Sequence, residues 1–425
     1  MFKILVIAYY FPPTGLSGVQ RTLKFVKYMP QYNWEPTVLT TELTGYYAHD
    51  YSLLDEIKDK PVKIVRVKGK EVNSILAKKG TIKMPAEFLR KFLSRLSSTF
   101  FIPDNKKGWC TEAYKKAKEL LEQEKYDLIF VTGPPFSTFT MALQLKIEFN
   151  IPLAVDYRDL WFGYHFAFYA TPFHKIAIKR MEYAVLKAAD FITVTNRRIK
   201  EKLMDYYKFI TFNDIMILPH GYDPEDFENA TPEKKQHNKM ILTYSGIFYE
   251  YITPKFFLKA FKELLNERPD IASNIELHFI GFLRKENYRF IKKLGIQSFV
   301  KEHGYLSHKE AINKIMMSDV LWMMVGHGKN ADTISSGKLF EYFGSKKPII
   351  ACLPDGALKS AASEYGASFL SEPYNVSAIK ENILKTYTLF RLGELPTPNI
   401  EYVEKHRRDF LTELLTKEFQ FLVRV

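Results

Sequence analysis

Short apolar runs alternate with amphipathic stretches along most of this 425-residue chain. Strand-like runs occur at KILVIAYY (3–10), PTVLTT (36–41), KIVRV (63–67), DLIFVTG (127–133), PLAVDYR (152–158) and FITVTN (191–196). Residues 111–124, 137–149 and 174–189 carry apolar positions at helical spacing between them. Strand followed by helix, repeated, predicts βαβ units and a doubly wound parallel sheet, whose buried strands are apolar on both faces. The polar stretch NATPEKKQHNKM (229–240) interrupts the pattern. A second series follows: ILTYSG (241–246), ELHFIG (276–281), DVLWMMV (319–325) and KPIIACL (347–353), with helices at 254–267, 285–295, 308–318 and 336–343. The expected fold is α/β, with two Rossmann-like parallel-sheet domains, 1–230 and 239–400, facing a cleft. Ligands belong at the carboxyl ends of the strands. The amphipathic segment 401–425 is expected to return to the first domain, with tail packing or dimerisation as the alternative.

Composition fits a large enzyme. Hydrophobic residues make up 46% of the chain, with 34 Phe and 26 Tyr, enough for two cores and against disorder. Two cysteines, Cys110 and Cys352, form no disulfide framework and match a reducing compartment. MFKILVIAYYFPP reads as a first strand, because Pro12 and Pro13 stop its short apolar core and no small-residue cleavage site follows. No apolar stretch is long enough to span a bilayer, so a cytoplasmic location is expected.

The formal charge of +13 calls for an anionic partner. Zinc spacing, a basic zipper and an RNA-binding aromatic motif are all absent, which argues against nucleic acid. EFLRKFLSRLSSTFF (87–101) places Phe88, Leu89, Phe92, Leu93 and Leu96 at helical spacing among Arg90, Lys91 and Arg95, with Lys78, Lys79 and Lys83 upstream. That pattern suits a helix lying in an anionic membrane interface. A helix packing its apolar stripe on a core is the other reading.

The run SSGKLFEYFGSKKPII (335–350) holds the most chemistry. Ser335, Ser336 and Gly337 leave backbone N–H groups free at a helix start, where the dipole favours a phosphate. Lys338 and Glu341 share one helix face, a cation for phosphate and a carboxylate for sugar hydroxyls. Leu339, Phe340 and Phe343 belong on the buried side.

This run resembles the nucleotide-sugar motif of retaining glycosyltransferases of the GT-B fold, family four. The resemblance implies that Glu341 holds the ribose hydroxyls, as the second of the family's two glutamates. Thr333 stands where the first glutamate is usual, a departure at the donor-sugar contact. The family commonly has an arginine directly after the glycine of YSGIFY (244–249); here Ile247 occupies that place and Lys255 falls slightly late. Lys338 is thereby expected to carry more of the leaving-phosphate charge, beside Gly246.

Three further segments fit the same family in order and spacing. FPPTGLSGVQRTLKF (11–25) is similar to its glycine-rich N-terminal loop, with Gly15, Gly18 and Arg21 beside the substrates; a plain structural turn is the alternative. VTGPPFSTF (131–139) followed by VDYRDLW (155–161) looks like a sub-branch common in bacterial surface-polysaccharide synthesis. Ser137 or Thr138 is expected to cap the next helix. The histidine many members carry on the first of these loops is missing, and Asp159 is the candidate for positioning the acceptor hydroxyl. An Arg158–Asp159 structural role is the other possibility. ILPHGYDPEDF (217–227) is close to the family's domain-boundary segment, with His220 in place of asparagine.

Hydrolase carboxylate pairs, H-E-x-x-H, Walker A and G-x-S-x-G are absent. No D-x-D metal site is present either, so neither metal nor cofactor is expected beyond a nucleoside-diphosphate sugar as co-substrate. The resemblance implies a retaining transfer to a saccharide or lipid-linked saccharide at the inner membrane face. A UDP-sugar epimerase of the same fold, or a non-catalytic nucleotide-binding partner subunit, is the alternative.

Overall fold

The computed structural model describes residues 1–70, 81, 85–235 and 237–424. Lys78, Lys79 and Lys83 lie outside them. The chain divides into unit 1, Met1–His220 with Arg408–Val425, and unit 2, Gly221–Arg407.

Unit 1 is built on seven strands: β1 (Phe2–Ile7), β2 (Trp34–Thr41), β3 (Lys63–Val67), β4 (Leu128–Gly133), β5 (Leu153–Tyr157), β6 (Phe191–Val194) and β7 (Ile215–Ile217). Their order is β3-β2-β1-β4-β5-β6-β7, and every pairing is parallel. Unit 2 has six: β8 (Met240–Ser245), β9 (Ile275–Ile280), β10 (Val300–Gly304), β11 (Val320–Met324), β12 (Ile349–Cys352) and β13 (Ser368–Ser371). They run β10-β9-β8-β11-β12-β13, again all parallel. The chain has two parallel-sheet α/β domains, as the alternation of strand and helix predicts.

Three strands went unpredicted: β7, β10 and β13. Each lies at a sheet edge. An edge strand has one side in water, so VKEHG and SFLS need no continuous apolar run and show none, while IMI is apolar but only three residues long.

The division falls after His220, ten residues before the expected 230. Residues 221–235 bond to unit 2: Tyr222 N–H to the His406 carbonyl, Asp226 to His308, Thr231 N–H to Asn313, Glu233 to Lys314 and Lys235 to Asp319. The polar stretch is therefore a strap on the second unit rather than a linker. The C-terminal segment is also split, and its first part through Arg407 stays with unit 2. The Arg408–Arg424 helix packs in unit 1, where Phe419 meets Trp34, Phe130 and Phe191 at ring separations of 5.8, 5.4 and 6.0 Å.

Candidate active site

In unit 2, β8 lies between β9 and β11. Connections to these neighbours leave in opposite directions, which opens a crevice at the carboxyl ends of β8 and β11. The loop after β11 leads into the Gly337–Ser345 helix, whose Leu339, Phe340, Tyr342 and Phe343 are buried. Tyr342 fixes this helix to the strand ends: its hydroxyl accepts from Ser245 N–H at 2.8 Å and donates to the Trp322 carbonyl at 3.4 Å.

Lys338 is thereby placed over the end of β8. Its Nζ is 3.6 Å from the centroid of the buried Tyr244 ring. Tyr244 and Gly246 are two residues apart on an extended chain and share one face. A Cβ at Gly246, which has φ +132°, would stand 2.7 Å from Lys338 Nζ. Burial lowers the Lys338 ammonium to about 7, opposed by the charge of Glu341 on the same helix. Ser336 makes no side-chain cap bond at this helix start, and its carbonyl accepts from Leu339 N–H at 3.1 Å. A side chain at Gly337 would enter open space. A desolvated cation, an aromatic floor and a helix N-terminus converge there, an arrangement suited to an anion such as a phosphate.

Two residues expected at this point are elsewhere engaged. Thr333 is buried and its hydroxyl donates to the Asn330 carbonyl at 2.7 Å, closing the turn before the helix. It lies in the short turn Ala331–Thr333 that precedes the helix. Lys255 opens the Lys255–Glu267 helix and lines a surface pocket with Thr253, Lys259, Glu286, Asn287, Phe290 and Lys293, none of which belongs to the Lys338 cluster.

In unit 1 the equivalent crevice lies where β1 is flanked by β2 and β4. Gly15 N–H donates to the Ala48 carbonyl at 2.9 Å, which folds the loop after β1. Arg158 ties the strand-end loops together, donating to the carbonyls of Gly18, Gly133 and Pro134. Asp159 follows it, half-buried, its charge acting on Arg158 and His165. Burial lowers both of those cations and Asp159 partly offsets it. Gly18 and Asp159 are thus gathered around one guanidinium.

Arg21 is a correction. It is 1% exposed and forms a two-pronged pair with Asp156, 0% exposed, at 2.7 and 3.0 Å. It also donates to the Leu218 and Pro219 carbonyls at 2.9 and 2.8 Å. Thr132 and Thr193 hydroxyls also donate to Asp156. Burial alone would raise Asp156, but Arg21 and these hydroxyls hold it below the ordinary aspartate range. Arg21 is an internal tie between the first helix, the sheet and the segment after β7. The cap of the Ser137–Phe149 helix is also supplied differently: Asp104 accepts from Ser137 N–H at 2.9 Å and Oγ at 2.7 Å.

Sequence reasoning passed over Tyr244, Tyr342 and His165. The first two carried a usable signal: Tyr244 is two residues before a strand-end glycine, and Tyr342 is one turn beyond Lys338. His165 carried none, since its proximity to Asp159 arises from an irregular loop.

Residues 19–226, a little under half of the chain, match the model of the family described as Glycosyltransferase Family 4. No curated protein matches. Among solved structures, the chain is similar to sucrose-phosphate synthase from Thermosynechococcus elongatus, with 13% identity, 100% of both chains covered and a TM-score of 0.66. It is also similar to Anabaena HepE in complex with UDP, at 11% identity over 99% of this chain and 100% of that one, TM-score 0.63. A putative UDP-N-acetylglucosamine 2-epimerase from Listeria monocytogenes is a third neighbour, at 14% identity over 99% and 96%, TM-score 0.56. The chain accordingly has the two-sheet GT-B fold, and its first unit is similar to the Glycosyltransferase Family 4 domain.

Proposed function

We propose that this chain is a retaining glycosyltransferase that moves a sugar from a nucleoside-diphosphate sugar to a lipid-linked saccharide, as a peripheral protein on the cytoplasmic face of the membrane in surface-polysaccharide synthesis. One observation carries the reading most: Lys338 lies on Tyr244 at the end of β8, beside the N-terminus of its own helix. The family match over residues 19–226 and the UDP complex of HepE support a nucleotide-sugar donor.

In this reading the diphosphate binds at the Ser336–Gly337 helix start and against Gly246, where a side chain would collide with Lys338. Glu341 accepts hydrogen bonds from the ribose. As the bond from sugar carbon to phosphate oxygen breaks, negative charge grows on the diphosphate, and the Lys338 ammonium and helix N–H groups stabilise it. The departing phosphate oxygen takes the proton of the attacking hydroxyl, so the protein supplies position more than acid–base chemistry. Within unit 1, Asp159 and the Gly15–Gly18 loop are the acceptor-holding residues of this reading.

The epimerase neighbour makes one alternative specific. Incubation with a nucleoside-diphosphate sugar, with and without a lipid-linked saccharide, separates the readings. A transferase releases the nucleoside diphosphate in step with glycosylated lipid of unchanged anomeric configuration. Isomerised donor without acceptor would identify an epimerase, and nucleotide binding with no turnover would identify a non-catalytic subunit.

A further inference from the structure

The Glu87–Phe100 helix wears its apolar side outward. None of its 14 residues is buried. Phe88 is 83% exposed, and Leu89, Phe92, Leu93, Leu96 and Phe100 are exposed with it. Glu87, Arg90, Lys91, Ser97, Ser98 and Thr99 are the half-buried positions. A helix belonging to a water-soluble surface has the reverse arrangement.

The outward apolar surface does not stop at this helix. Its last turn is joined to the Pro172–Ala188 helix, where His174 Nε2 and the Thr99 carbonyl lie 3.0 Å apart. The Arg95 guanidinium lies over the Phe168 ring, 5.6 Å from its centroid. From that junction Phe173, 68% exposed, Ile176 and Tyr183 continue outward along the second helix at helical spacing. The exposed charges of this surface are cationic: Arg95, Lys175, Lys179 and Arg180. Neither 88–103 nor 160–181 contains an acidic residue.

We propose that these two helices form one membrane-docking face, with the phenylalanines and Ile176 entering the interface of an anionic bilayer and the four cations on lipid phosphates. Large exposed apolar patches mark interaction sites, and a basic rim selects anionic headgroups. A second copy of the chain is a poorer occupant, since self-docking would set cation against cation. The face adjoins the strand-end loops of unit 1. The chain leaves its first helix for Asp104, which caps the helix after β4, and Phe168 lies in the connection after β5 that contains Asp159. Its use in presenting a lipid-linked acceptor rests on the function proposed above; the docking itself does not need turnover.

Flotation of the full chain with phosphatidylglycerol–phosphatidylcholine vesicles, against phosphatidylcholine alone, tests it. Phe92→Glu and Phe173→Glu are placed on the two helices, and unchanged melting temperatures serve as the control for folding. The expected result is flotation only with anionic vesicles, weakened by salt, and reduced roughly tenfold or more by either substitution. Loss with Phe92→Glu alone would overturn the joint face while leaving membrane association through one helix. Equal flotation with both lipids would overturn anionic selection. No flotation of the wild type would overturn the face and the peripheral location together, without touching the nucleotide site. A dimer in solution dispersed by Phe92→Glu would assign the face to a second copy instead.

Discussion

Lys338 Nζ lies 3.6 Å above the centroid of the Tyr244 ring, at the end of the first strand of unit 2. In the proposed donor site this contact would let one lysine serve a phosphate, with Ile247 next to Gly246 contributing no charge. The ammonium is already out of water and held in place, so little ordering remains when an anion arrives.

If the proposed donor site is correct, the protonation of Lys338 governs nucleotide affinity. Burial lowers it to about 7, whereas a diphosphate favours the charged form. Affinity for UDP should fall between pH 7 and 9, by up to roughly tenfold per pH unit. Lys338→Met should flatten that dependence, and calorimetric titration across the range checks it. Stability has its own slope: the unfolded chain keeps the proton that the folded chain releases above about 7, so stability rises with pH toward the ordinary lysine value.

Gly337 separates binding from folding. A Cβ there meets nothing within 4 Å. Gly337→Ala should leave the melting temperature unchanged or raise it, by up to about 1 kcal/mol of stability. The added methyl would obstruct a phosphate at the helix start and weaken diphosphate binding. Unchanged binding would remove Gly337 from the site.

Arg21 behaves as a structural residue. Arg21→Ala leaves the Asp156 carboxylate buried without its cation, which should cost about 3–5 kcal/mol. Arg21→Lys loses the two-pronged geometry and should also destabilise. Denaturant unfolding measures both. A large loss of turnover with full stability would instead restore Arg21 to the substrate site.

Glu182 offers a test of opposite sign. It is fully buried, accepts from Phe162 N–H at 3.0 Å and Tyr207 O–H at 2.7 Å, and burial raises it to about 7. The folded chain therefore holds a proton that the unfolded chain has released between about 4.5 and 7. Stability falls as pH rises through that window. Glu182→Gln should melt above the wild type at pH 8, and the difference should shrink toward pH 5.

The interior of both sheets was legible because parallel strands buried on both faces write themselves as apolar runs, as IIAC and LIFVTG do. Edge strands such as VKEHG leave no such mark. Gly337, Lys338 and Glu341 stand together in one run of the sequence, whereas the approach of Gly246 to Lys338 comes from folding. The destinies of Arg21 and Thr333 were not legible, since both depend on partners, Asp156 and the Asn330 carbonyl, that folding alone brings close. The same holds for Asp104, which caps a helix 33 residues away.

Melting temperatures of the wild type and Lys338→Met with UDP, GDP, ADP and dTDP at matched concentrations test the central claim most directly. A ligand bound only by the folded state stabilises by mass action, by about 2.7 kcal/mol at a hundred times its dissociation constant. One nucleoside diphosphate should raise the wild-type melting temperature clearly, and the rise should vanish or shrink sharply in Lys338→Met. No rise with any of the four, or an equal rise in the variant, would contradict a donor site at Lys338.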